Sequence, residues 1–222
     1  MFDLLRNTQT EQASPLTVVL TPGVRVNSLA LLGLVADSVT VSITSGGVPV
    51  YTKTQNLSTR EVLDWYDYFF LPFTTMPSLV LFDLPPYTNA IITVTITSGS
   101  VNVKCGSLIV GSYVYIGDVQ YDAESDALNF STVERNTFGE SLLIPRRTVP
   151  KTNQSVLCKK DRVDKVRDLR TALNAVPAVW SGLDNSTDGY SEALLILGYY
   201  RRFTIKIALP EHALITLELE EI

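Results

Sequence analysis

The sequence predicts a mainly β protein, with an N-terminal jelly-roll β-sandwich and a C-terminal α+β domain that carries one helix on an antiparallel sheet. Apolar and hydroxyl side chains alternate in several segments of the first half, as they do in half-buried strands. A long helical pattern occurs only in the second half. Residues 1–117 carry 5 basic and 7 acidic side chains, against 13 and 16 in residues 118–222, which places the domain boundary near Gly117.

The clearest strand of the first domain covers residues 38–44. Its apolar side chains, Val39, Val41 and Ile43, fall on one face and its hydroxyl side chains on the other. The Gly46-Gly47 pair that follows predicts a tight turn into a second strand, and therefore a hairpin.

The other strands of this domain are predicted at residues 16–20, 28–34, 79–82, 92–97, 101–105 and 108–110. The runs 16–20 and 28–34 are continuously apolar, which predicts strands that are buried on both faces. About eight short strands with short turns are typical of a two-sheet sandwich, and specifically of a jelly roll. Residues 60–68 are the one helix candidate in this half.

The second domain, residues 118–222, begins after a predicted linker around residues 116–121. Strands are predicted at residues 127–135, 141–147, 152–158, 178–180, 193–208 and 213–220. The first two are joined by a hairpin loop at 136–140, and 183–189 is predicted as a loop because it is rich in turn-forming residues.

The single helix of this domain is predicted from Asp161, as the N-cap, to residues 174–176 before Pro177. Val163, Val166 and Leu173 form its apolar stripe. The order of strands, one helix and further strands predicts a helix that covers an antiparallel sheet.

Composition excludes several classes of protein. An apolar content of 45% and a charged content of 18% exclude disorder as the dominant state. The longest apolar run, residues 29–36, is far shorter than the roughly 20 residues that cross a bilayer, so membrane insertion is not expected. The N-terminus lacks the pattern of a secretory signal. A net charge of −5 argues against recognition of nucleic acid.

Groups that could carry catalysis are scarce, so the sequence predicts no enzyme, no catalytic residue, no metal site and no cofactor. His212 is the only histidine and is predicted to lie in a turn. No Gly-x-Ser-x-Gly or nucleotide-binding glycine motif is present. Cys105 and Cys158 are too few for a disulfide framework and are predicted to be small buried hydrophobic residues.

Acidic residues leave two weaker possibilities open. Residues 121–126 carry three acids at alternate positions, which resembles the start of a calcium loop but lacks its central glycine; a solvated linker is the alternative. Asp64, Asp67 and Asp83 could supply the acid pair of a glycan-cleaving enzyme, although nothing in the sequence fixes their separation.

The aromatic cluster at residues 64–70 allows two interpretations. Large aromatic side chains commonly close the end of a sandwich. Alternatively, Trp65 and Tyr68 stack on a sugar while Asp67 binds its hydroxyl groups.

A basic run extends from Lys159 to Arg170, and it includes Lys160, Arg162 and Arg167. It is either a solvated helix face or an interface that meets acidic residues, such as 218–221, of a neighbouring copy. Arg201 and Arg202 add a second basic pair within a predicted strand.

Eight short segments, taken together and in order, resemble a poorly characterised family of tailed-bacteriophage virion proteins. They are VNSLALLGL (26–34), DWYDYFF (64–70), DLPPY (83–87), LIVG (108–111), TFG (137–139), VPAVW (176–180), GYYRRF (198–203) and LELE (217–220).

This resemblance implies a structural part of the phage tail, assembled in the host cytoplasm and located in the virion. It implies a galactose-binding-like jelly roll followed by a domain similar to those of tail-tube and distal-tail rings. The expected partners are other copies of the chain in a ring or collar and neighbouring tail, adaptor or fibre proteins. A host surface glycan is the alternative partner, which corresponds to an adhesion function. The third possible function is degradation of a glycan.

Overall fold

The computed structural model divides the chain into two compact units, residues 1–114 and 115–222, and this division falls within three residues of the boundary predicted near Gly117. It describes residues 1–2, 8–59, 63–71, 74–99, 102–135, 137–184 and 190–222. Both units consist mainly of antiparallel strands, and the second has one helix on its sheet. The predicted fold class is confirmed.

The described residues of the first unit form eleven strands and a short helix. They are β1 (Thr10–Gln12), β2 (Leu16–Leu20), β3 (Ser28–Leu32), β4 (Ser38–Ser45), β5 (Val48–Asn56), β6 (Ser58–Thr59), α1 (Trp65–Phe70), β7 (Thr74–Thr75), β8 (Ser78–Leu81), β9 (Ala90–Thr97), β10 (Val103–Cys105) and β11 (Ser107–Gly111). One sheet has the order β2-β9-β4-β5 and another the order β11-β3-β8, while β1-β10 and β6-β7 form two-stranded pairs.

The two larger sheets of this unit share one hydrophobic core. On β4, Val39, Val41 and Ile43 are buried, as the alternation predicts, and they lie opposite buried apolar residues of β9. Leu29–Leu32 of β3 are all buried in the facing sheet. Along the chain, the strands of these two sheets alternate between the sheets from β2 to β11, except that β4 is followed by β5 of its own sheet, in agreement with a jelly-roll type of sandwich.

Two local predictions in this unit have different outcomes. The β4–β5 hairpin is confirmed, and Gly46 and Gly47 both adopt positive φ, at 60° and 81°, as its tight turn requires. Burial of β2 on both faces is wrong, because Leu16 is buried whereas Val19 is exposed. Its sheet buries one face in the core, and Val19 lies on the other face.

In the second unit, the part of the chain that the structure describes forms eight strands, one helix (α2) and two 3₁₀ turns. They are β12 (Asp118–Val119), β13 (Glu124–Asn129), β14 (Thr132–Arg135), β15 (Ser141–Ile144), β16 (Thr148–Lys159), a 3₁₀ turn (Lys160–Arg162), α2 (Val163–Ala172), β17 (Ala178–Ser181), a 3₁₀ turn (Glu192–Leu194), β18 (Leu195–Lys206) and β19 (His212–Glu221). The main sheet has the order β12-β16-β19-β18-β17, and β13 also pairs with β16. Val166 of α2 is buried in the core of this sheet.

The acidic segment 121–126 is not a linker. Glu124–Asn129 form β13, which pairs along β16, and β12 places part of the predicted 116–121 linker in the same sheet. The predicted strand 127–135 is two strands, because the side chain of Asn129 accepts a hydrogen bond from the backbone N–H of Ser131 at 2.8 Å and turns the chain between them.

Three boundaries near the helix and the last strand also differ from prediction. Asp161 lies in the 3₁₀ turn and is not the N-cap, and α2 begins at Val163 without a side-chain cap. The helix ends at Ala172, before the predicted 174–176. His212 is the first residue of β19 and pairs with Lys159, because the β16–β19 ladder continues through the predicted turn. The predicted helix start at residue 60 and loop residues 185–189 lie outside the described residues.

Candidate functional site

The aromatic lobe, which we define as residues 63–71, follows β6 and contains α1. The helix begins at an N-cap, Asp64, whose carboxylate accepts a hydrogen bond from the backbone N–H of Asp67 at 2.9 Å. The Asp67 carboxylate accepts one from the backbone N–H of Leu63 at 3.2 Å. This reciprocal arrangement is similar to a capping box, and it holds a six-residue helix in which no residue is buried.

The aromatic side chains of the lobe are exposed, so they do not close the end of the sandwich. Trp65 is 77% exposed, and the exposed apolar side chains around it are Leu63, Tyr66, Tyr68, Phe69, Phe70 and Leu71. The rings contact each other at helical spacing: Trp65 stacks on Phe69 at 6.4 Å between centroids, and Tyr66 lies 5.0 Å from Phe70.

The size of this surface makes it a candidate interaction site. Five aromatic rings that are mostly exposed present on the order of 600 Å² of contiguous surface, which reaches the upper end of the largest apolar patch on a typical monomer. Trp and Tyr are also the residue types that contribute most to binding energy at protein interfaces.

The three residues predicted to bind a glycan lie together on α1. The ring of Trp65 is 6.1 Å from that of Tyr68, in an edge-to-face arrangement. The carboxylate of Asp67 is engaged in the cap of its own helix. Phe69 stacks with Trp65, so the surface of the lobe is mainly apolar and has few polar groups that converge on one point.

The apolar ribbon, which we define as β14, β15 and residues 137–140 between them, is the second exposed surface. Val133 lies opposite Leu143 on one face of the ribbon, and Leu142 lies opposite Glu134 on the other. Val133, Leu142 and Leu143 are exposed, and Phe138 in the turn is 90% exposed. Among the described residues the ribbon has only two strands, so its outer edges pair with no further strand.

The predicted basic interface residues of the helix region are exposed, but they differ in the groups that they contact. The guanidinium of Arg162 lies 5.0 Å from the centre of the Tyr115 ring. Arg167 forms ion pairs with Asp168 at 3.2 Å and Asp164 at 3.8 Å. Lys160, by contrast, has no ion pair among the described residues. This surface therefore retains cations that no acid of the described chain neutralises.

Arg201 and Arg202 of β18 are paired within their own unit. Arg201 lies 3.1 Å from Glu220, and Arg202 lies 3.4 Å from Glu218. Glu221, which is buried, lies 2.9 Å from Arg147. Glu218, Glu220 and Glu221 are the hypothesised partners of the basic run in a neighbouring copy, and all three already have partners in this chain.

Asp83, one of the three acids considered for glycan cleavage, is bound by neighbouring side chains of its own unit. Burial acts to raise the pKa of Asp83, but hydrogen bonds from Lys53 at 2.9 Å and Tyr51 at 3.0 Å, together with the charge of Lys53, hold that pKa below its usual value. A general acid in glycoside cleavage requires the opposite shift. No group of three or more metal-ligating side chains occurs in the described parts, and none of the helices there is long and apolar enough to span a membrane.

No protein-family model, curated protein or solved structure matches the chain.

Proposed function

We propose that the protein is a non-enzymatic structural component of a bacteriophage tail, which self-assembles into a ring or collar and contacts neighbouring tail or fibre proteins. The observation that supports self-assembly is the apolar ribbon, because its exposed apolar side chains lie on both of its faces. An isolated two-stranded ribbon is marginally stable in water and gains most from burial against another chain.

The edges of the ribbon support the same proposal. A strand with unpaired backbone groups is a template for pairing with another chain, and natural proteins usually block such edges. If the ribbon of one copy pairs with a sheet edge of the next copy, the two copies contribute different surfaces to the interface. Repeated head-to-tail interfaces of this kind form a closed ring when the rotation between successive copies permits.

The assignment to a phage tail rests on the ordered sequence segments that resemble virion proteins. It places the protein in the virion, after assembly in the host cytoplasm. The mainly β fold and the exposed surfaces agree with a protein whose task is contact with other polypeptides.

The self-assembly proposal predicts that Leu142→Ser combined with Leu143→Ser lowers the oligomer mass, because these side chains provide apolar surface on opposite faces of the ribbon. Analytical ultracentrifugation and electron microscopy are expected to show rings of the unaltered chain and smaller species of the variant. Ile207→Ser, at an apolar residue of the same unit that is also exposed, is the matched control and is expected to leave the rings intact.

Monomers of the unaltered chain at high concentration contradict self-assembly. The tail assignment has its own measurement, which is mass spectrometry of purified virions of the phage that encodes the chain. Absence of the protein from those virions contradicts the assignment to the tail whatever the oligomeric state.

The exposure of Trp65 favours a second candidate function, which is recognition of a host surface glycan. It predicts that Trp65→Ala abolishes binding on a glycan array, because sugars stack on exposed indole rings. Since α1 has no buried residue, the substitution is expected to leave the melting temperature nearly unchanged. Tyr121→Ala, at a fully exposed aromatic residue of the other unit, is the control. An array on which the unaltered chain binds no glycan removes this candidate.

A further inference from the structure

We propose that β15, the second strand of the apolar ribbon, pairs with the free edge of β2 in the next copy of the chain and so extends its sheet. This inference rests on the proposed self-assembly and names the sheet edge that accepts the ribbon. The contact joins the second unit of one chain to the first unit of another, so the same contact can repeat from copy to copy.

The outer edge of β2 is free among the described residues. β2 is the last strand of its sheet and pairs only with β9. Its sequence, LTVVL, contains no charge and no proline, and Val19 is 60% exposed. Ile91 of β9 lies on the same face of the sheet and is exposed as well. Natural proteins usually protect an edge of this kind with a charge, a proline or a covering element, so this edge is suited to pairing with another chain.

The other edge strands that the structure describes are protected. β5 has exposed apolar side chains but contains Pro49 and Lys53, and β13 contains Glu124 and Asp126. β8, β11 and β17 expose no apolar side chain. Outside the ribbon, β2 is therefore the one described edge strand that combines an exposed apolar side chain with the absence of charge and proline.

β15 is the strand of the ribbon that fits this edge. Its sequence, SLLI, is uncharged, whereas β14 contains Glu134 and Arg135. Four residues are enough for a pairing in this fold, since β3 and β8 pair over four residues. Backbone hydrogen bonds supply the affinity of an added strand, and its alternate side chains supply the specificity.

The faces of the two strands also match. Leu143 lies on one face of β15, and the apolar side chains before and after it lie on the other. On β2, Val19 lies on the exposed face, whereas Val18 and Leu20 pack against the core. If Leu143 lies beside Val19, its two neighbours lie beside Val18 and Leu20, whichever direction the strands run. This register covers Val19 and adds two apolar side chains to the core of the sandwich.

The base of the ribbon is held in place before it pairs. The backbone N–H of Arg146 donates a hydrogen bond to the hydroxyl oxygen of Ser131 at 2.9 Å, and Arg147 forms an ion pair with the buried Glu221 at 2.9 Å. An anchored strand loses less conformational freedom on binding than a loose segment does, which favours the contact.

Pairing of β15 with β15 of another copy is the competing arrangement. Such a contact is symmetric, so it closes a dimer and leaves β2 uncovered in both copies. Pairing with β2 covers both free edges and continues from copy to copy, as a ring requires.

Disulfide cross-linking tests the contact, with Leu143→Cys and Val19→Cys coexpressed as separate full-length chains. Neighbouring strands lie about 4.8 Å apart, within the roughly 4.4–6.8 Å between Cα atoms that a disulfide spans. The native Cys105 and Cys158 are buried, so the introduced thiols are the reactive ones. Mild oxidation is expected to give dimers linked between residues 143 and 19, identified by mass spectrometry of the non-reduced band. Val24→Cys in place of Val19→Cys is the control and is expected to give no such dimer.

A charge on the edge of β2 provides the second measurement. Val19→Lys is expected to raise the concentration at which half of the chain is assembled about tenfold, because a lysine on an edge strand opposes pairing. Val24→Lys is the matched control, since Val24 is 61% exposed and lies outside β2, and it is expected to leave assembly unchanged. Analytical ultracentrifugation measures assembly, and circular dichroism shows that both variants are folded.

The possible results separate this inference from the proposed function. Rings that form from the two cysteine variants without the 143–19 link overturn the β15–β2 contact and leave self-assembly in place. Normal assembly of a folded Val19→Lys chain has the same meaning. A link between two copies of Leu143→Cys indicates the symmetric arrangement and also overturns the contact. If the unaltered chain forms only monomers, both proposals fail.

Discussion

Trp65 and Trp180 are the same residue type in opposite environments. Trp180 is buried against the rings of Tyr200 and Phe203, and its indole N–H donates a hydrogen bond to the carbonyl oxygen of Gly198 at 3.2 Å. Trp65 lies on a helix that buries no residue, and its indole is mostly exposed. Packing in the hydrophobic core explains the presence of Trp180. Trp65 has no such role, so its exposed indole makes the aromatic lobe a candidate binding surface.

Cys105 shows how burial changes the chemistry of a single group. Its side chain is fully buried, and desolvation raises the pKa of its thiol to about 11. The sequence predicted a small hydrophobic residue at this position, and the structure confirms that prediction. Burial likewise raises the pKa of Cys158, so neither thiol is a ready nucleophile at neutral pH.

Titration of Cys105 is expected to make the protein less stable in alkali. Its thiol ionises near pH 9 when the chain is unfolded and near pH 11 when it is folded, so the unfolded state loses its proton first. Stability from this group is complete below about pH 9 and falls as the pH rises to 11, by up to about 3 kcal/mol.

The measurement is the free energy of unfolding in urea from pH 8 to pH 11, for the unaltered chain and for Cys105→Ala. Other groups titrate in both proteins, so the difference between the two curves isolates the thiol. We expect this difference to shrink with rising pH; a difference that stays constant contradicts the assignment.

At the scale of single elements, local sequence pattern was sufficient where burial is regular. The alternation in β4 identified its strand, its buried face and the hairpin that follows, because a strand with one face in the core exposes every second side chain. The same rule located β9. For β2 it failed, since a continuously apolar run does not reveal whether a second layer covers the outer face.

The two candidate surfaces could be predicted only in part. The spacing of Asp64 and Asp67 is a capping signal for α1 that the sequence shows, and the sequence also shows the cluster of rings at residues 65–70. Their exposure was not predictable, because it depends on whether other elements cover the helix. For β15, the consecutive residues 142–144 are all apolar, and apolar side chains on both faces of a strand normally indicate a fully buried strand.

At the scale of the whole molecule, each unit has a hydrophobic core of its own. Among the described residues, twenty buried side chains form the core of residues 1–114 and nine form that of residues 115–222. Buried apolar area is the main source of stability, so the second unit is expected to be the less stable of the two.

Unfolding in urea is therefore expected to occur in two steps, with the second unit unfolding at the lower concentration. Tryptophan fluorescence reports this step selectively, because Trp180 is buried in the second unit whereas Trp65 is already exposed in the first. Circular dichroism reports strands of both units, so its midpoint is expected at a higher urea concentration than that of fluorescence. Trp65→Phe is the control and is expected to leave the fluorescence midpoint unchanged. Coincident midpoints by both probes contradict independent unfolding, because they indicate that the two cores unfold as one cooperative structure.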